Sequence, residues 1–181
     1  LGSLRQLALI AFGCSRHDHA AEWLGHCHRL GGRPEDLPGL ALAFWRAGQV
    51  SEASQCLAAA PEGDPRLEVL KLLCALGAGE KELAGQLLAR LQIGPALPGE
   101  AFADLLEEIV RLPPSDLLLE SLEAIHRALS ASSDPQVGAL QLRAAVQLIH
   151  VTDRLHPGPQ RLVASLDLVL GVLAKGGGGA P

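Results

Sequence analysis

The chain has no tyrosine and no methionine, and aromatic residues make up only 3% of it, although 48% of its residues are hydrophobic. A core with so few aromatics draws on leucine and alanine, strong helix formers, and is poor in the β-branched and aromatic material that strands favour. That excludes a β-rich fold and predicts an all-α one. Basic clusters are lacking too. The net charge is −5 with no run of Lys or Arg, so the electrostatic footprint of a nucleic-acid binder is missing and no direct nucleic-acid ligand is expected. Long apolar runs are also missing: the longest, around Leu162–Ala174, is interrupted by Ser165 and Asp167, short of the ~18–20 residues a membrane span needs. No signal peptide is recognisable, and the chain reads as soluble. Cysteine is scarce and unpaired in pattern. Cys14, Cys27, Cys56 and Cys74 form no CxxC, and each sits in or beside a helical pattern, which fits free, buried thiols in a reduced, intracellular protein of the cytoplasm or nucleus.

Catalytic signatures are absent as well. There is no GxSxG, no HExxH and no glycine-rich phosphate loop, Gly176–Gly179 precedes no helix, and Glu107 and Glu108 belong to an ordinary amphipathic pattern. Neither enzyme activity nor a cofactor is expected. Cys14, His17, His19, His26, Cys27 and His28 crowd the first thirty residues and are zinc-ligand types. Consecutive helical residues point about 100° apart, so His26, Cys27 and His28 cannot converge on one ion, and no metal site is assigned.

What is present is helix punctuation over 181 residues, a length that buries about 70% of the unfolded surface. Residues 1–3 read as a tag remnant ahead of a piece of a larger protein. Caps, prolines and glycines predict helices at Leu4–Gly13, Asp18–Leu30, Leu37–Ala47, Ser51–Pro61, Asp64–Leu76 and Glu82–Gln92. A connector at 94–99, Gly94-Pro95-Ala96-Leu97-Pro98-Gly99, separates these from Glu100–Leu112, Ser115–Ser130, Pro135–Leu155 and Pro159–Lys175. The long third member of that set has one apolar stripe, Leu140, Ala144, Leu148, Val151 and Leu155. Residues 176–181 read as a flexible tail. About ten helices result, alternating as antiparallel hairpins.

The front half repeats itself. Leu4, Leu7, Ala8, Ala20 and Leu24 return as Leu37, Leu40, Ala41, Ala53 and Leu57, thirty-three positions later. A period of that size marks an α-solenoid, in which each unit buries its apolar face against neighbours. Residues 4–92 resemble tetratricopeptide repeats. In that family a bulky residue opens the first helix, followed by an apolar-plus-small pair, an aromatic and a turn glycine, here Leu37, Leu40, Ala41, Phe44 and Gly48. The second helix carries a small residue at the crossing, a bulky one, another small one and a proline, here Ala53, Leu57, Ala60 and Pro61. In the first hairpin Ala11 replaces the aromatic, Ser15 the glycine and Cys27 the last alanine; the third keeps Gly79, Ala84 and Leu88 but puts Lys71 near the small position. Residues 100–175 do not fit the pattern and are expected to continue or cap the solenoid.

The resemblance implies binding on the face of the first helices, where residues outside the core pattern are Arg5, Leu9, Phe12, Leu42, Trp45, Arg46 and Val69. An apolar groove rimmed by arginine would take an amphipathic helix or an acidic peptide; equally, Trp45 and Phe12 could pack beneath a neighbouring repeat. The chaperone-adaptor use of the family is discounted, because Leu9 and Gly39 stand at its two asparagine sites and only Arg5 survives of its clamp. The last helix is apolar all round, with Leu162, Leu166, Val169, Leu170 and Leu173 among its residues, and is read as an interface to another subunit or a second copy, or else as a cap sunk on the preceding helix. The expectation is therefore a non-catalytic scaffold joining subunits of a larger complex, with a regulatory domain packing in cis on a catalytic domain as the alternative.

Overall fold

A computed structural model describes residues 2–31, 33, 36–58, 60, 64–93, 99–131, 137–158, 163, 166, 167 and 169–171. Among them there is no strand. The helices are α1 (Gly2–Gly13), α2 (His17–Arg29), α3 (Leu37–Arg46), α4 (Val50–Ala58), α5 (Pro65–Ala78), α6 (Lys81–Ile93), α7 (Gly99–Glu108) with a 3₁₀ turn at Ile109–Arg111, α8 (Asp116–Ala131) and α9 (Gly138–Leu155). The all-α expectation therefore holds in kind. The chain gathers into two compact units, Leu1–Ala78 and Gly79–Pro181.

Local chemistry explains two of the helix starts. Asp64 accepts a hydrogen bond from the Arg66 N–H at 2.9 Å, with Pro65 in the first helical position of α5, where its missing N–H costs nothing. The Ser115 hydroxyl caps α8 through the Leu118 N–H at 3.2 Å. Other starts depart from expectation. Asp18 and Ser51 lie inside the first turns of α2 and α4 instead of capping them, and α1 begins at Gly2, so Gly2 and Ser3 belong to a helix. The connector at 94–98 and the start expected at Pro135 lie outside the described residues.

In the first unit, α1 packs on α2, α2 on α3, α3 on α4 and α4 on α5, and α3 also meets α5. Ala8, Ala20, Ala21, Ala41, Ala43 and Ala53 are fully buried; small side chains there let helix axes approach to the ~8–10 Å of close packing. Leu37, Leu40, Leu57, Leu67, Leu72 and Leu73 fill the rest, each contributing about 1.5–3 kcal/mol of apolar burial. Lys71 of α5 sits half-buried against Glu68 at 3.0 Å.

The two turns that follow α1 and α3 are the same structure thirty-three residues apart. Ser15 and Gly48 both have positive φ, +58° and +77°. Arg16 N–H donates to the Ala11 carbonyl at 2.8 Å and Ser15 N–H to Phe12 at 3.0 Å; Gln49 N–H donates to Phe44 at 2.9 Å and Gly48 N–H to Trp45 at 3.0 Å. These are Schellman closures, which satisfy the carbonyls a helix end leaves unpaired. The following helices then open alike, Ala20 N–H on Arg16 and Ala53 N–H on Gln49, each at 3.0 Å.

The second unit is arranged differently. Its main packings are α6 with α8, α7 with α9 and α8 with α9, so α6 belongs here and the packing boundary falls at Gly79, ahead of the 94–99 connector. Helices α8 and α9 run antiparallel: Gln141 at the start of α9 donates to the Leu129 carbonyl at 2.6 Å, and His156 beyond its end approaches Asp116 at 3.9 Å. Leu140, Ala144, Leu148 and Val151 of the expected α9 stripe are buried, and Leu155 is half-buried.

Candidate partner-binding surface

Helices α1 and α3 are tied to each other near both ends. At the start, Arg5 of α1 reaches Asp36, the residue preceding α3, with Nη2 2.6 Å and Nε 3.2 Å from Oδ2; the Arg33 N–H donates to the same oxygen at 3.1 Å. Burial raises the Asp36 pKa, but the Arg5 hydrogen bonds, the Arg33 N–H and the charge of both arginines outweigh it, leaving the carboxyl below its ordinary value of 3.8. At the far end, the Arg46 guanidinium of α3 lies 4.9 Å from the centre of the Phe12 ring, which itself meets His17 edge-on at 5.0 Å. The two contacts give α1 and α3 the same direction.

Between these ties runs an apolar strip. Arg5, Leu9 and Phe12 share one face of α1 by their i, i+4, i+7 spacing, and Leu42 and Arg46 share one face of α3. Leu9 is 70% exposed, whereas Phe12, Leu42 and Arg46 are half-buried. Five of the residues expected to bind a partner thus lie on the faces that these ties mark out.

Two do not. Trp45 is 6% exposed and Val69 3%, so the groove is not centred on Trp45: both side chains are core, and the open alternative for Trp45 resolves to packing. The reason is positional. Trp45 stands thirty-three residues after Phe12, but α3 packs with α2, α4 and α5. The arginine rim also changes meaning, since the Arg5 guanidinium is matched by Asp36 and cannot serve an acidic ligand without giving up that pair.

In the last expected helix, Leu166 and Leu170 are exposed, Val169 is half-buried, and Leu162 and Leu173 lie outside the described residues. The exposed Val163 adds to this apolar set.

Among the described residues no three His, Cys, Asp or Glu side chains are placed to hold a metal ion, and no helix is long and apolar enough to cross a membrane. In the histidine-rich stretch, His19 contacts Arg16 and lies 3.7 Å from Asp18 and 4.0 Å from Glu22, a surface polar cluster at the start of α2. The four cysteines are unbridged, and burial raises the Cys56 pKa. Sequence reasoning missed Asp36, whose proximity to Arg5 depends on tertiary packing, and missed Ile10, which is exposed on α1; Leu7, expected in the apolar repeat pattern with Leu40, is exposed as well. A comparison with models of known protein families gives no match, and a comparison with curated proteins gives no significant match.

Proposed function

We propose that this chain is a non-catalytic protein–protein interaction scaffold, built at its front on stacked helical hairpins of the tetratricopeptide kind and acting within a larger intracellular complex. The repeated Schellman turns at Ser15 and Gly48 carry this reading, together with the consecutive packing of α1 to α5 and the contact of α3 with α5. A 33-residue unit reproduced down to its turn hydrogen bonds is what a solenoid repeat requires. The binding surface is the α1/α3 strip of Leu9, Leu42 and Phe12 with Arg46 at its end, and its ligand is an amphipathic helix presenting apolar residues at i, i+3 or i+4. Exposed Leu166 and Leu170 offer a second contact for another subunit.

The test is quantitative affinity capture with wild type beside the Leu9→Asp/Leu42→Asp double variant. A defined partner retained by wild type and depleted at least about tenfold by the variant, at unchanged helical circular dichroism, is expected, since a lost apolar hot spot is worth more than 1.4 kcal/mol. Equal recovery by both proteins would end the strip's claim.

A further inference from the structure

Because α1 and α3 share a 33-residue register and end in the same turn, the cover over α3 indicates what would lie over the matching face of α1. Leu7 and Ile10 of α1 correspond to Leu40 and Ala43 of α3. Leu40 and Ala43 are 3% and 0% exposed, while Leu7 and Ile10 are 44% and 63% exposed. Helix α2 packs on α3 and covers Ala43, which shares one apolar cluster with Ala20 and Ala21 of α2 and Ala11 of α1, flanked by Phe12, Trp23, Leu24 and Phe44. Helical geometry puts Leu7 and Ile10 on the side of α1 opposite Arg5, Leu9 and Phe12, so this face is separate from the strip proposed to bind a ligand.

We infer that the Leu7–Ile10 face of α1 is a docking site for the second helix of another hairpin of this same kind, an amphipathic helix with alanine or glycine where α2 has Ala20 and Ala21. The inference rests on the repeat reading above and adds a partner to it. Its chemistry follows from size. Ile10 is larger than Ala43, so the incoming helix needs small residues opposite it to approach as closely as α2 approaches α3.

Insertion of a second copy of residues 4–36 directly before Leu4 of the full chain tests this, because it recreates the natural spacing between one hairpin and the next. The expected result is a rise of about 5 °C in the thermal midpoint and at least about tenfold slower amide exchange in the original α1. Ile10→Asp in the original copy, or Ala21→Leu in the inserted one, removes both gains, whereas Leu30→Asp, equally exposed on the same unit, keeps them. A protected inserted hairpin that leaves exchange in the original α1 unchanged overturns the docking inference alone. An inserted hairpin with no protected amides overturns the repeat reading itself. Self-association of the uninserted chain that Ile10→Asp abolishes also overturns the inference, by assigning the face to a second copy.

Discussion

Ser15 and Gly48 occupy one backbone conformation with two different side chains, and only glycine adopts it without cost. A left-handed residue bearing a Cβ loses roughly 1 kcal/mol, so Ser15→Gly should stabilise the first unit by about 0.5–1 kcal/mol and Gly48→Ala should destabilise it by about the same amount. A Cβ at Gly48 would meet nothing within 4 Å, which leaves the dihedral as the whole cause. Urea melts of the two variants check both signs. Asp36 gives a second prediction at this scale. Its folded pKa is depressed, so its contribution is present above the ordinary value of 3.8 and is lost as pH falls through the folded value. Asp36→Asn should cost on the order of 1 kcal/mol at pH 7. The stability difference between wild type and variant should then shrink toward zero below about pH 4; a difference that stays constant from pH 7 to pH 3 would contradict the Arg5 pairing.

At the scale of helices, equivalent positions with unequal cover make a matched experiment. Leu40→Ala removes a buried side chain and should cost about 2–5 kcal/mol, while Leu7→Ala, at the corresponding exposed position, should cost less than about 1 kcal/mol; thermal melts read the contrast. That contrast also marks how far the sequence could be read. Helix type and order were legible from leucine periodicity, from Asp64-Pro65 and Ser115, and from glycine turns, because those signals act within one helix or one turn. Alanines 8, 20, 41 and 53 were legible as buried positions, because small residues recurring at a fixed offset suit close approach of helices. Burial of Trp45 was not legible, since it depends on α2, α4 and α5 surrounding α3, and Phe12 at the equivalent place is covered less. Nor was α6 legible as a partner of α8: Gly79 and Ala84 continue the turn-and-crossing pattern of the sequence repeat, while the helix on which α6 packs lies far along the chain, beyond any local signal. Of the candidate surface, the shared faces of Arg5, Leu9 and Phe12 and of Leu42 and Arg46 were legible in their spacing, and Asp36 was hidden because an ion pair between residues 31 positions apart leaves no local trace.

For the molecule as a whole, each of the two compact units has its own leucine and alanine core, and a unit with its own core is able to open on its own. Leu40→Ala should therefore accelerate amide exchange across residues 2–58 while leaving α8 and α9 unchanged, as hydrogen-exchange mass spectrometry would record; equal acceleration in both units would mean that they unfold as one. The placement of the aromatic residues makes the same division visible to light. Trp23 and Trp45 both fall in the first unit, and the chain has no other tryptophan and no tyrosine. Intrinsic emission thus comes from one half of the protein, with Trp45 in a dry interior and Trp23 partly wetted. A melt followed by fluorescence tracks the front unit alone, whereas far-ultraviolet dichroism sums both, so any gap between the two curves measures how independently the halves come apart.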